Sequence, residues 1–175
     1  MVVDTILFGD CRETLKEFDG KARTCVTSPP YYGLRNYGNE EDQIGQEQTP
    51  EEYIQNLVEV FRSVRDVLTD DGTLWVNIGD SYYNYRPGKG QALPKQTVSK
   101  TKQDLPDKCA KRGNKLEGLK EKDLIGIPWM LAFALRADGW YLRQDIIWHK
   151  PNPMPESVKD RCTKSHEYIF LLSKN

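Results

Sequence analysis

Short hydrophobic runs alternate with helix-like segments in the first part of this chain. Runs rich in β-branched and other apolar residues, at 2–8, 22–27 and 73–79, predict three strands. Between the first two, Asp10 and Glu13 form a capping box, which predicts a short helix from Cys11 to Phe18. Strand, helix and strand in this order favour a parallel α/β layer.

The clearest predicted helix covers residues 50–68. Thr49 and Glu52 form a second capping box, and Pro50 occupies the first helical position. Hydrophobic residues then recur every three or four positions and predict one buried stripe, made of Ile54, Leu57, Val58, Phe61, Val64 and Leu68.

The last third of the chain predicts a helix and two strands. Residues 127–137 are apolar on nearly every side, so we expect a deeply packed helix that ends before Gly139. Residues 140–149 alternate in polarity and predict a half-buried strand with Trp140, Leu142, Ile146 and Trp148 on one face. A proline-rich connection joins this strand to a final one at 166–173, which favours an antiparallel pair. Trp129, Trp140 and Trp148 are interpreted as core residues.

Charge is segregated along the chain although the formal net charge is only -1. Residues 86–122 contain eleven Lys and Arg against four Asp and Glu, and they lack periodicity, so we predict a basic, mobile loop. This loop either contacts phosphates of a nucleic acid or forms a solvated insertion. Residues 40–71 carry ten acidic residues against two arginines, which predicts a solvated acidic helix face.

Several classes of protein are excluded by composition. No apolar run approaches the roughly 18 residues that a membrane span needs, and residues 1–10 lack the features of a signal peptide. Four scattered cysteines and two histidines make a metal site improbable and favour a reducing cytoplasm. At 175 residues, the chain is one domain's worth of material.

The segment with the clearest chemistry is Thr27-Ser28-Pro29-Pro30-Tyr31, directly after the second predicted strand. In α/β sheets, ligands bind in the crevice beyond the carboxyl ends of the strands. The two prolines lack N–H groups and have fixed φ angles, so their carbonyls are rigidly directed acceptors. Ser28 adds a hydroxyl and Tyr31 a flat ring on which a planar group can stack.

These groups suit methylation of an exocyclic amino group on a nucleobase. The lone pair of such an amine is delocalised into the ring, and acceptors that hold its hydrogens release that lone pair for attack. The base must leave the duplex, and an aromatic side chain receives it by stacking. In-line methyl transfer then depends mainly on positioning.

The motif resembles the catalytic motif of the amino-directed DNA methyltransferases, which methylate cytosine at N4 or adenine at N6. Other segments resemble the family in the same order: TILFGDCRETL, DGTLWVNIGDSY and IIWHKPNPMPESVKDRCTKSHEYIFLLSK. The best match is the subgroup whose catalytic half precedes the cofactor half, often carried by phages and restriction systems. The resemblance implies a Rossmann-like α/β sheet, double-stranded DNA as substrate, S-adenosylmethionine as methyl donor without a metal, and a bacterial or phage-infected cytoplasm.

The resemblance also implies roles for individual residues. Ser28 and the Pro29 carbonyl would hold the amine, Pro30 would keep the loop rigid, and Tyr31 would stack on the base. Asp10, Thr27 and Ser28 would contact the cofactor, although Asp10 is equally well explained as a helix cap. Candidate DNA or substrate residues are Tyr32, Arg35, Asp80, Lys150 and Asn152; Asp80 either lines the cleft or closes a turn. Ser at the first motif position favours cytosine N4, with adenine N6 as the alternative.

One family element is missing from residues 1–175. The family binds its cofactor with a glycine-rich F-x-G-x-G turn, and no such turn occurs here. We therefore expect an incomplete sheet that supplies the catalytic half of a methyltransferase domain. A missing C-terminal segment or a second polypeptide would carry the turn, or else the sheet is rearranged. The alternative from another class is a non-catalytic fragment or split subunit that binds DNA or a partner chain.

Overall fold

Three helices and four strands make up the part of the chain that the structure describes. The structure is a computed structural model, and it describes residues 5–34, 43–83, 116, 118–156 and 158–175. The elements, in chain order, are α1 (Cys11–Thr14), β1 (Ala22–Thr27), α2 (Pro50–Val67), β2 (Leu68–Ile78), α3 (Ile127–Ala137), β3 (Tyr141–His149) and β4 (His166–Ser173).

The four strands form one mixed sheet in the order β1-β2-β4-β3. β1 and β2 are parallel, whereas β4 is antiparallel to both β2 and β3. The predicted antiparallel pair is therefore confirmed. The carboxyl ends of β1, β2 and β3 lie at one edge of the sheet, together with the start of β4.

Helices α2 and α3 cover one face of this sheet. The predicted stripe of α2 is buried along its whole length. It packs with α3 against alternate residues of the two central strands: Leu74, Val76 and Ile78 of β2, and Phe170 and Leu172 of β4. The core lies between these helices and this face.

The start of α2 follows the predicted capping box. The Thr49 hydroxyl accepts a hydrogen bond from the Glu52 N–H at 3.2 Å, and the Glu52 carboxylate accepts one from the Thr49 N–H at 3.3 Å. The helix ends at Val67, because Leu68 adopts extended backbone. β2 therefore begins at Leu68, five residues before the strand predicted at 73–79.

The predicted strand at 2–8 is wrong for its described part, since residues 5–8 belong to no strand. Ile6 is 75% and Phe8 88% exposed, because the described residues offer them no neighbouring strand with which to pair. The helix after it is also shorter than predicted and covers only Cys11–Thr14.

The predicted face of β3 is also wrong in its second half. The register shifts between Leu142 and Gln144, so that Leu142 pairs with Leu172 on the covered face while Ile146 pairs with Ile169 on the other face. Trp148 is 51% exposed and is not a core residue. Trp140 is buried as predicted.

Helix α3 is packed on one side only, which corrects the expectation of burial all round. Ile127, Leu131 and Leu135 are buried, but Phe133 is exposed. Trp129 is partly buried, and its ring packs edge-on against Phe170 at a centroid distance of 5.2 Å.

The second face of the sheet carries apolar side chains that the described residues cover only in part. Val26, with its register partner Trp75, lies on this face, and so do Ile146 and Leu171. Val26 is 77% exposed, whereas Trp75, Ile146 and Leu171 are partly buried. β1 is an edge strand whose second side is unpaired in the described sheet.

Candidate active site

The segment Thr27–Tyr31 leaves the sheet at the carboxyl end of β1. Its parallel neighbour β2 ends beside it at Ile78, so that Gly79 and Asp80 adjoin the segment. Pro29 is buried, whereas Ser28 and Pro30 are exposed. The sequence-predicted motif therefore lies in the crevice where ligands bind in open α/β sheets.

The segment is fixed by a hydrogen bond from the helix beneath it. Tyr53 of α2 is fully buried, and its hydroxyl donates to the Pro30 carbonyl oxygen at 2.7 Å. This contact corrects the expectation that both proline carbonyls are free acceptors. The Pro30 carbonyl holds the loop in place, which leaves Ser28 and the Pro29 carbonyl as the candidate acceptors.

Gly45 holds the other side of the segment. Its carbonyl accepts from the Gly33 N–H at 2.8 Å, and its φ of +96° is in the region that favours glycine. A Cβ at this position would lie 3.0 Å from the Tyr31 carbonyl oxygen. The close backbone contact therefore requires a glycine.

Tyr32 packs inward, although the sequence offered it as a DNA contact. Its ring lies 5.4 Å from that of Tyr53, and its hydroxyl donates to the Gln48 carbonyl at 3.3 Å. Burial and the nearby carboxylates, of which Glu47 contributes most, raise the pKa of Tyr32 to about 12. This environment assigns Tyr32 a packing role.

Tyr31 is held at its ring and at its hydroxyl. The ring lies against Gly79, where an added Cβ would be 2.7 Å from the ring atom Cε2. The hydroxyl lies 3.0 Å from Asn77 Oδ1 and 3.0 Å from Glu167 Oε2. Asn77 is on β2 and Glu167 on β4, so the two central strands fix the position of the ring.

Glu167 also forms an ion pair with Lys150, at the end of β3. Desolvation raises the pKa of Glu167, but hydrogen bonds from Lys150 and Tyr31 and the charge of Lys150 outweigh it. The pKa of this carboxyl group is therefore below its ordinary value. Desolvation raises the pKa of Tyr31, which keeps its hydroxyl protonated and able to donate.

A cavity of about 210 Å³ opens beside these groups. Its lining combines the rings of Tyr31 and His166 with charged side chains from three segments, namely Asp80, Lys150, Lys164 and Glu167. Burial lowers the pKa of Lys164, whose ammonium group has no hydrogen-bond partner among the described residues. A larger recess of about 460 Å³ lies at the opposite edge of the sheet, around Trp140 and Arg143, remote from the motif.

Asp80 closes the turn that leads toward α3. One carboxylate oxygen, Oδ1, accepts from the N–H groups of Ser81, Gly126 and Ile127 at 2.9 to 3.0 Å. Gly126 is the N-cap and Ile127 the first residue of α3, whose N-terminal N–H groups need acceptors. Asp80 thus both lines the cavity and caps a helix, which unites the two alternatives left open by the sequence.

Asp10 acts as the cap of α1. Its carboxylate accepts from the Arg12 N–H at 2.8 Å and from the Arg12 guanidinium, and these hydrogen bonds lower its pKa. The structural explanation of Asp10 is therefore observed, and its contact with a cofactor stays a prediction.

The remaining sequence-predicted residues are not assembled at the cavity. Asn152 is exposed on the proline-rich connection and does not line it. Arg35 and most of the basic segment 86–122 lie outside the described residues.

Sequence reasoning missed Tyr53, Asn77, Lys164 and Glu167. Tyr53 precedes Leu57 by one helical turn on the buried stripe, and a buried tyrosine hydroxyl needs a partner. That pattern could have indicated an internal hydrogen bond. The other three have no local signal, because their partners are distant in sequence.

No described helix combines the length and the apolar character that crossing a bilayer requires. Within the described ranges, no three His, Cys, Asp or Glu side chains are grouped as metal ligands.

A family model for DNA methylases, N6_N4_Mtase, matches residues 22–175. The chain is 54% identical over 175 residues to the Type II methyltransferase M.SmaI of Serratia marcescens, covering 97% of this chain and 55% of that protein. It is 52% identical over 172 residues to the Type II methyltransferase M.Cfr9I of Citrobacter freundii, covering 98% and 54%. The chain thus spans about half the length of these relatives.

Two solved structures share the fold. One is the PvuII DNA methyltransferase, described as cytosine-N4-specific, with a TM-score of 0.59, 16% identity, and coverage of 95% of this chain and 48% of that one. The other, from Thermus thermophilus, is described as a putative DNA modification methylase complexed with S-adenosyl-L-methionine; it has a TM-score of 0.59, 22% identity, and coverage of 95% and 51%. The mixed, open sheet is accordingly part of a Rossmann-like fold.

Proposed function

The chain belongs to the DNA methylase family of amino-methyltransferases, and we propose that it is the catalytic half of an enzyme that methylates an exocyclic amino group in DNA. The methyl donor is S-adenosylmethionine, and cytosine N4 is favoured over adenine N6. The observation that carries the proposal is the Ser28–Tyr31 segment, clamped from below by Tyr53 at the edge of the sheet where ligands bind.

Two acceptors are available to hold the amine. Ser28 is exposed at the end of β1, and the carbonyl of the buried Pro29 follows it in the same rigid segment. When the amino hydrogens bind these acceptors, the nitrogen lone pair is less delocalised into the ring and becomes available for attack. Because the loop is fixed in advance, this stabilisation needs little reorganisation.

Tyr31 provides the surface for the base. Its ring is fixed by Gly79 and by contacts of its hydroxyl, and it lines a cavity of about 210 Å³. This volume is smaller than the pockets that hold drug-sized ligands, and it suits one small heterocycle. Stacking on Tyr31 would offset part of the cost of removing the base from the duplex.

The described residues fit only one side of a cofactor site. S-adenosylmethionine supplies an activated methyl group when it is bound. Thr27 and Ser28 lie at the end of β1, but Asp10 is engaged by Arg12 and no glycine-rich turn is present in the chain. We therefore assign the remaining cofactor contacts to a further segment or a partner chain.

The second face of the sheet supports this assignment. β1 presents an edge that is unpaired in the described sheet, and Val26, Ile6 and Phe8 are exposed. Exposed apolar groups of this kind mark a surface that another part of an assembly covers. The chain also spans about half of the relatives that it matches. The term "complete enzyme" is used below for this chain together with the segment that supplies the rest of the cofactor site.

The relatives support a proposal for the substrate and the biological setting. The matched relatives are Type II methyltransferases, and we assign this chain to a restriction-modification or phage methylation system that acts on double-stranded DNA. Ser28 at the first motif position favours cytosine N4 over adenine N6. Mass spectrometry of nucleosides from treated DNA distinguishes N4-methylcytosine from N6-methyladenine.

The decisive experiment uses the complete enzyme with Ser28→Ala and Tyr31→Ala together. We expect methyl transfer to fall by at least about 100-fold, since both groups act on the reacting base. The melting temperature should fall only modestly, through the lost Tyr31 contacts with Gly79 and Glu167. The matched control is Tyr141→Phe, an exposed tyrosine at the opposite edge of the sheet, which should keep full activity. Full activity of the double variant would reject the proposal.

A second test addresses a non-catalytic role of the isolated chain. The missing glycine-rich turn favours weak or undetectable binding of S-adenosylmethionine by residues 1–175 alone. Calorimetry measures this binding directly. Micromolar affinity would show that the missing half is dispensable and would contradict the need for a further segment.

A further inference from the structure

Tyr31 makes more contacts than a stacking surface requires. A phenylalanine would offer a base nearly the same apolar ring, but Tyr31 carries a hydroxyl that lies 3.0 Å from two acceptors, Asn77 Oδ1 and Glu167 Oε2. The amide of Asn77 donates to the Tyr168 carbonyl, which directs its oxygen toward Tyr31. The hydroxyl has one proton, and a carboxylate is the stronger acceptor of the two.

The carboxylate of Glu167 is itself held in place. Lys150 binds Oε1, which leaves Oε2 for Tyr31. The two residues lie on adjacent strand ends, where His149 pairs with His166 and the Lys150 N–H donates to the Ser165 carbonyl at 2.7 Å. Glu167 is only 18% exposed, so the ion pair is shielded from solvent more than a typical surface pair.

These contacts form a chain from the sheet to the motif. Lys150 orients Glu167, and Glu167 binds the Tyr31 hydroxyl. The Tyr31 ring packs against Gly79 and lines the cavity. The anchor is 136 residues away from Tyr31 in sequence. The hydroxyl is therefore tied to the sheet as well as to Ser28 of its own loop.

From this geometry we propose that Glu167, oriented by Lys150, is a positioning residue that fixes the Tyr31 ring in the plane that receives the target base. The inference rests on the proposed function, in which Tyr31 stacks on that base. Glu167 acts through the Tyr31 hydroxyl and touches neither the amine nor the methyl group.

A double-mutant cycle in the complete enzyme tests the inference. We expect Tyr31→Phe to lower kcat about tenfold with little change in KM for DNA, because the ring remains but its plane is no longer fixed. Glu167→Ala should cause a similar loss, and combining it with Tyr31→Phe should cause no further loss. Glu167→Gln keeps an oxygen for the hydroxyl and should restore most of the rate.

An ion pair remote from Tyr31 provides the control. Asp160 lies in the connection between β3 and β4 and forms an exposed ion pair with Lys122. Asp160→Asn removes this pair and should leave the methylation rate unchanged. If Glu167→Ala lowers the rate equally with and without the Tyr31 hydroxyl, Glu167 supports only the β3–β4 pair and the inference fails. If Ser28→Ala alone, with Tyr31 and Glu167 unchanged, leaves the methylation rate unaltered, the proposed function fails.

The position of the base provides a readout independent of turnover. With 2-aminopurine as the target base, stacking on a fixed ring should quench its fluorescence in the enzyme–DNA complex. We expect Tyr31→Phe and Glu167→Ala to raise the emission to the same level, at equal DNA occupancy. Unchanged emission in both variants would overturn the inference.

Discussion

The hydroxyl of Tyr53 lies 2.7 Å from the carbonyl oxygen of Pro30 and joins the buried face of α2 to the catalytic segment. This contact spans 23 residues and connects α2 to the Thr27–Tyr31 segment. It explains how a loop with exposed residues on its outer side keeps one conformation. The structure consequently makes the helix part of the active site, although the cavity is lined from strand ends and loops.

Tyr53→Phe removes this hydrogen bond and leaves the ring in place. We expect a loss of about 1 kcal/mol in the free energy of unfolding, as for other single hydrogen bonds. The methylation rate should fall further than this destabilisation explains, because the Ser28 and Pro29 acceptors lose their fixed orientation. Urea unfolding and initial rates measure the two effects, with Tyr141→Phe as the exposed control. An unchanged rate would show that the prolines alone fix the loop.

Gly79→Ala would place a methyl group 2.7 Å from the Tyr31 ring. We expect a destabilisation of about 1 to 3 kcal/mol and a strong loss of activity, because the ring must move or the strand end must shift. The same substitution in a Tyr31→Ala background should cost much less, since the clash is removed. Thermal unfolding of the four proteins measures this difference. Equal costs in both backgrounds would place the strain elsewhere.

Asp80→Ala leaves three N–H groups around α3 without their acceptor. The cost should be about 2 kcal/mol or more in the free energy of unfolding, because hydrogen bonds to a charged acceptor are lost. Asp80→Asn retains an acceptor oxygen and should be milder. If both variants unfold like the parent protein yet lose methylation, Asp80 acts on the substrate and its capping contacts are dispensable.

The ion pair of Glu167 makes stability depend on acidity. Because the folded pKa of Glu167 is lowered, its carboxylate stabilises the folded state above the unfolded pKa, about 4.3, and this contribution is lost as the pH falls through the folded pKa. The difference in unfolding free energy between the parent protein and Glu167→Gln should therefore shrink from pH 7 toward pH 3. Lys164, Asp80 and Tyr31 also lie near this carboxylate.

Substituting Lys150 with Met identifies the cause of that acid dependence. Lys150 supplies both a hydrogen bond and a positive charge to Glu167. In the Lys150→Met background, we expect the effect of Glu167→Gln on unfolding to vary less with pH. Urea midpoints at several pH values provide the measurement. A pH dependence that is independent of Lys150 would assign the lowered pKa to the Tyr31 and Asn77 contacts.

Local signals predicted the elements and the position of the motif. The capping box at Thr49 and Glu52 correctly located the start of α2, because the atoms that cap a helix are adjacent in sequence. The antiparallel pairing of β3 with β4 followed from a proline-rich connection that contains no helix. The motif from Thr27 to Tyr31 was found because its chemistry is contained in five consecutive residues.

The errors share a physical origin in partners that are not local. An apolar run such as residues 5–8 has the composition of a strand, but a strand forms only where a neighbour provides hydrogen bonds. The shift after Leu142 reverses the face of Trp148, and alternation in the sequence cannot reveal a bulge. The contacts of Tyr31 with Glu167 and of Pro30 with Tyr53 depend on how distant segments meet.

The position of β4 between β2 and β3 has a consequence for biosynthesis. A ribosome produces the catalytic segment early, but the strand that occupies the centre of the sheet and carries Glu167 emerges after the other three. Until then β3 has no partner in the described sheet, and the Tyr31 hydroxyl has no carboxylate to bind. The Thr27–Tyr31 segment should therefore reach its final geometry only after residues 166–173 have left the exit tunnel.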